Sequence, residues 1–188
     1  MGHDDELWQA YTKSGEPVTQ PLTKAKAGTG ILHGASHVWI WRRGSHGLEM
    51  LLQRRAPDKL TWPNHLDISA AGHIDFGESP LGALLREAQE EIGLKLDTAS
   101  VELLFVHRAY LQAGAGIIEN EFQWVYGYES TEEMQLTFAD GEVVTAEWLP
   151  FKEFRELVRG ASSQYQIVQH GDVYFMNLMA GISRMSGI

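Results

Sequence analysis

Short apolar stretches rich in Val, Trp, Ile and Leu recur along the chain, and this composition is typical of the strands of a sheet. The predicted strands are Ser36–Trp41, Leu48–Gln53, Val101–Leu111, Phe122–Tyr128 and Val143–Leu149, with a shorter extended run at His65–Gly72. Glycine-containing turns at Gly44–Gly47 and Gly114–Gly116 separate two pairs of neighbouring strands. The pattern therefore predicts a sheet of several strands.

Helical patterns occupy three further segments of the chain. They are the stretch between Ser79 and Gly93, Lys152–Arg159 and Val173–Met185. Because strands and helices do not alternate regularly, the order predicts a mixed α/β layered domain and not a doubly wound nucleotide-binding fold.

The N-terminal part has a different character from the rest. Glu6–Thr19 predicts a small hairpin, and the small, polar, Gly-rich stretch Thr23–Gly30 predicts a connecting loop. Without a repeat or a long linker, we expect one domain over residues 1–188. In that domain 1–30 form the hairpin and loop, and 151–188 form a C-terminal helical region.

The central helix carries its own start and stop signals. Ser79 is a favourable N-cap, Pro80 suits the first helical position because its missing N–H costs nothing there, and Gly93 is a typical stop. Apolar residues fill one arc of this helix and are expected to face the core: Leu81, Leu84, Leu85, Ala88 and Ile92.

Three carboxylates share the neighbouring arc of the same helix. Glu87, Glu90 and Glu91 are spaced i, i+3 and i+4, so at ~100° per residue they lie close together. Arg86 is placed to orient Glu90, and Glu78 is an alternative partner for it. Hard cations such as Mg²⁺ and Mn²⁺ prefer such oxygen ligands, whereas the alternative reading is a solvated acidic helix face.

The composition and net charge of the chain disfavour several classes of function. Fifteen basic and twenty-five acidic residues give a formal charge of -10, which disfavours binding to nucleic-acid backbones or anionic membranes. A phosphorylated substrate then requires metal ions or a few placed cationic side chains. The absence of cysteine excludes disulfides, thiolate zinc sites and a cysteine nucleophile. With no apolar run near ~18 residues and no signal-peptide pattern, we expect a cytoplasmic protein.

Residues Gly72 to Leu94, GHIDFGESPLGALLREAQEEIGL, resemble the signature box of the Nudix hydrolase family. Gly72, Glu78 and the run Arg86–Leu94 match every fixed position of that box, and a chance match is on the order of one in a million. The resemblance implies an α/β/α sandwich with a mixed sheet, in which the box forms a strand–loop–helix unit.

The same resemblance implies an activity. Glu87, Glu90 and Glu91 would bind Mg²⁺ or Mn²⁺, helped by the Gly72 carbonyl, and Glu90 and Glu91 would serve catalysis. A metal-activated water would attack a phosphorus of a small organic diphosphate. The resemblance implies structural roles for Glu78, Arg86 and Gly93, three further fixed positions of the box.

Beyond the box, residues 4 to 150 are similar to the isopentenyl-diphosphate isomerase branch of the family. The similar stretches include the DDELW…SGEPV opening, LLQRRA at 51–56 and LDISAAGH at 66–73. The resemblance places substrate-binding roles on Arg55, Lys59, His33 and His73, with metal binding by the two histidines as an open alternative. It places an extra metal ligand at Glu119 and a general base at Glu121, and the i, i+2 spacing puts both on one strand face.

Ala71 separates this chain from the isomerases, which carry a cysteine directly before the Gly-His pair. A proton-transferring partner is therefore missing while the hydrolytic box is complete, and hydrolysis is favoured over isomerisation. An isomerase and a non-catalytic ligand-binding domain remain the alternatives. The sequence does not identify the substrate. It also does not determine the oligomeric state, and a homodimer is one of the states left open.

Overall fold

The computed structural model describes residues 6–45, 47–112, 116–131, 133–139, 141–161 and 164–187. Its strands are β1 (Leu7–Trp8), β2 (Leu22–Thr23), β3 (His33–Gly44), β4 (Gly47–Arg55), β5 (Leu66–Asp67), β6 (Ala70–His73), β7 (Val101–Gln112), β8 (Ile118–Ser130) and β9 (Val143–Pro150). Its α-helices are α1 (Lys24–Ala27), α2 (Pro80–Ile92), α3 (Phe151–Val158) and α4 (Asp172–Ser186), with a 3₁₀ turn at Thr98–Ser100. None of these helices is long and apolar enough to cross a membrane.

One mixed sheet of seven strands forms the centre of the fold. Its order is β5-β4-β3-β8-β7, with β6 also paired to β3 and β9 also paired to β4. The β3–β8 pair is parallel, whereas its neighbours in the sheet are antiparallel. In this parallel pair His33 lies beside Glu121 and Ala35 lies beside Gln123. The pairing therefore brings together residues that are far apart in the sequence.

Helices cover both faces of the sheet. On one face α2 buries Leu84 and Ile92 against Val38 of β3. On the other face α3 and α4 bury side chains such as Phe154 and Leu178 against the tryptophans of β3. Each large apolar side chain buried in this way contributes roughly 1.5–3 kcal/mol to folding. The arrangement confirms the expected α/β/α sandwich.

The box helix begins and ends where the sequence predicts. The Ser79 hydroxyl accepts a hydrogen bond from the Gly82 N–H at 3.0 Å, and Pro80 is the first helical residue. Gly93 closes the helix at φ 70°, a left-handed conformation that side chains strain. A Cβ at this position would also lie 2.0 Å from the Thr137 hydroxyl oxygen.

The predicted N-terminal hairpin is present. The Thr12 N–H donates to the Glu16 carbonyl at 2.8 Å, and Tyr11 pairs antiparallel with Pro17. Beyond these residues the pairing continues between β1 and β2. The predicted loop differs from expectation, because it contains the short helix α1, whose Ala27 is buried in one small apolar cluster with Trp8 and Leu22. The predicted Gly114–Gly116 turn lies largely outside the described residues.

The extended run at His65–Gly72 is divided into β5 and β6. Between them the Ser69 hydroxyl donates to the Leu51 carbonyl at 2.6 Å and accepts from the Ile40 N–H at 2.8 Å. One side chain thus satisfies two backbone groups where the strand ladder is interrupted.

Candidate functional site

Glu87 of the box helix lies directly against the backbone of β6. A Cβ built on Gly72 would lie 2.0 Å from Oε1 of Glu87, so only glycine leaves room for this carboxylate. Arg86 Nη1 donates to the same oxygen at 2.7 Å. Burial nevertheless raises the pKa of Glu87 to about 7, against the opposing charge of Arg86. Glu87 is therefore a sheltered carboxyl that titrates near neutral pH.

The other two helix carboxylates have different surroundings. Glu91 is buried, and its Oε2 accepts from the Ala71 N–H at 2.9 Å and from Gln53 Nε2 at 3.1 Å. Glu90 faces solvent and accepts from Arg86 Nη1 at 3.1 Å. Glu87 and Glu91 thus both lie against β6, whereas Glu90 is exposed to solvent. Their role as metal ligands stays a prediction.

Arg86 connects the helix to the loop before it and to β6. Its Nε and Nη2 donate to the two carboxylate oxygens of Glu78 at 3.2 and 3.0 Å. Nη2 also donates to the His73 carbonyl at 2.9 Å. The two partners that the sequence offers as alternatives, Glu78 and Glu90, are both engaged.

A second group of potential metal ligands lies on the opposite face of β6. Among the described residues, His33, His73 and Glu121 form the one trio of histidine or acidic side chains whose ligand atoms all lie within 4.8 Å of one another. Each histidine Nε2 is 3.4 Å from Glu121 Oε1. The site is sheltered, since His33 and Glu121 are buried. We refer to these three residues as the His–His–Glu cluster.

Trp8 of β1 covers the His–His–Glu cluster. Its ring stacks on His73 with centroids 3.6 Å apart and an interplanar angle of 11°, and its centroid is 5.4 Å from that of His33. The two imidazole rings are thus held between strand β8 and an indole contributed by the N-terminal segment.

Within the His–His–Glu cluster, the two histidines favour ionisation of Glu121, and Glu121 favours protonation of the histidines. Burial alone would raise the pKa of Glu121, but its contacts with His33 and His73 outweigh burial and hold that pKa well below its usual range. Burial likewise opposes protonation of both histidines. Glu121 outweighs this effect and raises the pKa of His33, whereas the pKa of His73 stays lowered. Glu121 is consequently an ionised carboxylate between two imidazoles.

Glu119 differs from Glu121 although both lie on β8. Burial, followed by the negative charge of Glu121, raises the pKa of Glu119 to about 7, while Arg55 and His170 oppose the rise. The strand thus presents one carboxylate that stays ionised and one that exchanges a proton near neutral pH.

The two predicted phosphate-binding cations are engaged by protein groups. Arg55 Nη1 contacts Asp67 Oδ2 at 3.1 Å, and its Nη2 donates to the Thr61 carbonyl at 3.1 Å. Lys59 forms an ion pair with Glu142. This is the ion-pair arrangement that competes with phosphate binding, and the predicted role of both residues stays untested.

Sequence reasoning missed several residues around the site. Asp67 is buried and also accepts from His170 Nε2 at 3.2 Å, so it joins Arg55 to the segment before α4. Trp8 and Gln123 were also not predicted to belong to the site. A single Asp, Trp or Gln carries no local signal of its own, and only the strand register shows which side chains it meets.

His37 belongs to the packing of β3, as expected. Its Nδ1 lies 2.9 Å from the Tyr174 hydroxyl, which also accepts from the Trp39 indole N–H at 2.9 Å. Burial, helped by the nearby His170, lowers the pKa of His37 to about 3. His37 is therefore neutral at physiological pH, and its Nδ1 is engaged with the buried Tyr174 hydroxyl.

Comparison with known proteins gives a family match over most of the chain. The sequence profile of the NUDIX domain matches residues 32–171. This range starts at β3 and reaches the segment before α4, so it contains both the box helix and the His–His–Glu cluster.

The curated relatives include Nudix hydrolases and isopentenyl-diphosphate isomerases. Nudix hydrolase 3 of Arabidopsis thaliana is 34% identical over 167 residues, which are 86% of this chain and 21% of that protein. An isopentenyl-diphosphate Delta-isomerase of Escherichia coli is 32% identical over 119 residues, 63% of this chain and 62% of that protein. The chain spans about a fifth of the Arabidopsis relative, and a similar Nudix hydrolase of Listeria monocytogenes is covered to 46%.

Solved structures share the fold at low sequence identity. A protein of Deinococcus radiodurans superposes with a TM-score of 0.66 at 22% identity, covering 93% of this chain and 98% of the other. The NUDIX domain of Shewanella oneidensis NrtR, solved with ADP ribose, gives 0.59 at 14% identity, covering 78% and 86%. At these identities the likeness concerns the fold.

Proposed function

The chain belongs to the Nudix family, and on that premise we propose that it hydrolyses the diphosphate linkage of a small organic diphosphate with Mg²⁺ or Mn²⁺. One observation carries the proposal: the complete box helix holds Glu87 and Glu91 against the backbone of Gly72 and Ala71. A merely solvated acidic helix would leave these carboxylates in water, whereas here two of the three are sheltered beside backbone groups.

The donor atoms fit divalent cations of two kinds. Carboxylate and carbonyl oxygens suit Mg²⁺, while imidazole nitrogens combined with a carboxylate suit Mn²⁺ and other first-row metals. We assign the first kind to Glu87, Glu90, Glu91 and the Gly72 carbonyl, and the second kind to the His–His–Glu cluster.

Acid–base chemistry divides between the two carboxylates of β8. A bound divalent cation lowers the pKa of a coordinated water and neutralises charge that develops on phosphoryl oxygens. Glu119, with a pKa of about 7, is suited to accept a proton at neutral pH and release it again. Glu121, kept ionised by its two histidines, is suited to bind metal. These roles are the reverse of those expected from the sequence, in which Glu119 is the metal ligand and Glu121 is the general base.

Diphosphate contact is assigned first to Arg55. Its guanidinium is fixed by Asp67 and Thr61, and a guanidinium fixed in this way loses little side-chain entropy on binding phosphate. Lys59 acts as a point charge and has to leave Glu142 to reach a phosphate. Both cations offset the formal charge of -10 locally.

A substrate panel tests the activity. The purified chain is offered nucleoside di- and triphosphates, dinucleotide polyphosphates, nucleotide sugars and isoprenyl diphosphates, with Mg²⁺, Mn²⁺ or EDTA. We expect phosphate-containing products from at least one class, with no turnover in EDTA. The proposal fails if no diphosphate is cleaved under any metal condition.

Matched variants connect the activity to the box helix. Glu90→Gln and Glu91→Gln each keep size and hydrogen bonding but remove a charge, and we expect kcat to fall about 100-fold or more. Glu153→Gln, an exposed position at the start of α3, is the control and should keep full activity. Unchanged turnover in both box variants contradicts the assignment.

Isomerisation is the second candidate, because the His–His–Glu cluster and the isomerase relatives favour it. Ala71 and the absence of cysteine oppose it. Isoprenyl diphosphates are therefore also followed for double-bond migration. Migration without release of phosphate supports the isomerase and rejects the hydrolase.

A further inference from the structure

Asp67 of β5 is a buried carboxylate that holds a guanidinium and an imidazole at the same time. Its Oδ2 accepts from Arg55 Nη1 at 3.1 Å, and its Oδ1 accepts from His170 Nε2 at 3.2 Å. The proposed hydrolysis gives a role to Arg55 but none to His170. We refer to these three residues as the Arg–Asp–His trio.

The segment that carries His170 is attached to the strand that carries Asp67. The Leu66 N–H donates to the Gln166 carbonyl at 2.8 Å, and the Val168 N–H donates to the Leu66 carbonyl at 2.9 Å. These two backbone hydrogen bonds fix the chain just before His170. The contact between the imidazole and Asp67 is therefore built into the fold.

The start of α4 completes the support of His170. Gly171 follows it with a φ of 91°, a conformation that favours glycine, and the chain turns there into the helix. The Tyr174 ring of that helix stacks on the imidazole, with centroids 4.7 Å apart and an interplanar angle of 28°. A side chain held in this way loses little conformational freedom when it binds a ligand.

The ionised Asp67 determines which ring nitrogen of His170 is open. Burial would raise the pKa of Asp67, but its contacts with His170 and Arg55 outweigh burial and lower that pKa. A carboxylate only accepts hydrogen bonds, so Nε2 of His170 carries the shared proton. Nδ1 has no hydrogen-bond partner among the described residues and is not one of the buried atoms that lack one, so solvent reaches it.

Arg55 also keeps donor capacity for a ligand. A guanidinium has five N–H groups, and Arg55 makes four contacts, one to Asp67 and three to the carbonyl and hydroxyl oxygens of Thr61. At least one N–H therefore remains. The exposed fractions agree, since they are 20% for the Arg55 side chain and 12% for that of His170, against 8% for Asp67.

The Arg–Asp–His trio lies beside the His–His–Glu cluster. The His170 ring centroid is 5.6 Å from that of His37, and His37 pairs across the β3–β6 ladder with Ala71, two residues before His73. The two outer side chains of the trio both act electrostatically on Glu119 of β8. The trio thus supplies cationic donors next to the candidate metal ligands.

We propose that His170 is a second diphosphate-binding residue and that Asp67 is the positioning residue that holds it beside Arg55. The imidazole donates through Nδ1, and the guanidinium through its remaining N–H, to oxygens of the diphosphate. An anion beside the ring favours the imidazole protonated on both nitrogens, and its hydrogen bond is then charge-assisted. The inference rests on the proposed hydrolysis and deepens it, because it names how the anionic half of the substrate is held.

Binding of methylenediphosphonate tests this inference, because the central carbon of this diphosphate analogue blocks hydrolysis. Its Kd is measured by calorimetry with Mg²⁺ for the wild type, His170→Gln and Asp67→Asn. We expect the Kd to rise about 10- to 100-fold in each variant, the effect of losing a charge-assisted hydrogen bond. Asp97→Asn is the matched control, since this exposed Asp caps the 3₁₀ turn before β7, and it should keep the wild-type Kd.

Two further measurements separate positioning from a general structural effect. The double variant Asp67→Asn/His170→Gln should bind no more than about threefold more weakly than Asp67→Asn, because the imidazole is no longer held once its carboxylate partner has gone. Mn²⁺ alone is the second probe. Its Kd should be equal in His170→Gln and the wild type, since His170 is not part of the His–His–Glu cluster.

The results separate this inference from the function on which it rests. A phosphonate Kd in His170→Gln within about twofold of wild type overturns the role of His170, as does a wild type that does not bind the phosphonate. Effects that multiply in the double variant overturn the positioning role of Asp67, and a parallel loss of Mn²⁺ affinity in His170→Gln shows a structural effect and also overturns the proposal. A chain that binds the phosphonate through His170 but cleaves no diphosphate retains this inference and rejects hydrolysis.

Discussion

Replacing Gly72 by Ala tests whether the position of Glu87 matters for activity. The added Cβ would lie 2.0 Å from both Cδ and Oε1 of Glu87, and ordinary contact begins at 3.4 Å. The carboxylate therefore has to move by ~1.4 Å, the difference of those two distances. This shift breaks its 2.7 Å hydrogen bond with Arg86.

The consequences for stability and activity differ in size. The lost ion pair is partly exposed, with side-chain exposures of 27% and 15%, so its loss costs only about 1 kcal/mol. Because Gly72 does not have a positive φ, alanine fits the backbone and returns roughly 0.4–1 kcal/mol through the unfolded state. Stability should then change little. A displacement of ~1 Å at a reacting centre costs on the order of 100-fold in rate.

The assay combines kcat on the best substrate of the panel with urea unfolding. We expect kcat to fall about 100-fold while the free energy of unfolding stays within about 1 kcal/mol. The double variant Gly72→Ala/Glu87→Ala relieves the clash, so it should be no slower than Glu87→Ala alone. If Gly72→Ala keeps wild-type kcat, the reasoning that places a functional carboxylate at Gly72 is refuted.

Three further predictions concern stability and protons. Ser79→Ala removes the N-cap hydrogen bond of α2 and should lower the free energy of unfolding by about 1 kcal/mol, with Ser79→Asp as the matched control that retains a cap. His37 has a folded pKa of about 3 against 6.5 unfolded, so its stability contribution is present above pH 6.5 and is lost on acidification, by up to about 1.4 kcal/mol per pH unit. Urea unfolding between pH 5 and 7 should show this slope in the wild type and a reduced slope in His37→Gln. Glu87 and Glu119 have pKa values raised from 4.5 to about 7, so their stabilising effect is present below pH 4.5 and lost as the pH rises through 7. Metal binding should accordingly release protons at pH 6 and few at pH 8.5, measured by calorimetry in buffers of different ionisation enthalpy, and equal release at both pH values contradicts the raised pKa values.

Local signals account for the parts of the structure that the sequence predicts well. The Ser79 cap, the proline at the first helical turn and Gly93 act within a few residues, so the box helix was predictable to its ends. The N-terminal hairpin was predicted from its turn residues, but the helix α1 in the predicted loop was not, because it depends on the burial of Ala27 with Trp8 and Leu22.

The candidate site was predictable as a set of residues and not as a geometry. His33, His73 and Glu121 were identified through family resemblance, but their approach depends on the parallel pairing of β3 with β8. The surroundings that separate the pKa of Glu119 from that of Glu121 come from β4, β8 and the segment before α4 together. No window of sequence contains all of these elements.

Two adjacent residues of β6 belong to two different groups of candidate metal ligands. Gly72 faces the acidic helix and His73 faces the His–His–Glu cluster, because consecutive side chains point to opposite sides of a sheet. Inserting or deleting a single residue in this strand would turn the histidine towards α2 and a different residue towards β8. Substitutions can alter either face alone, but a change in length cannot. Variation in length among proteins with this arrangement is therefore expected in the loops on either side of β6, while the strand itself keeps its length.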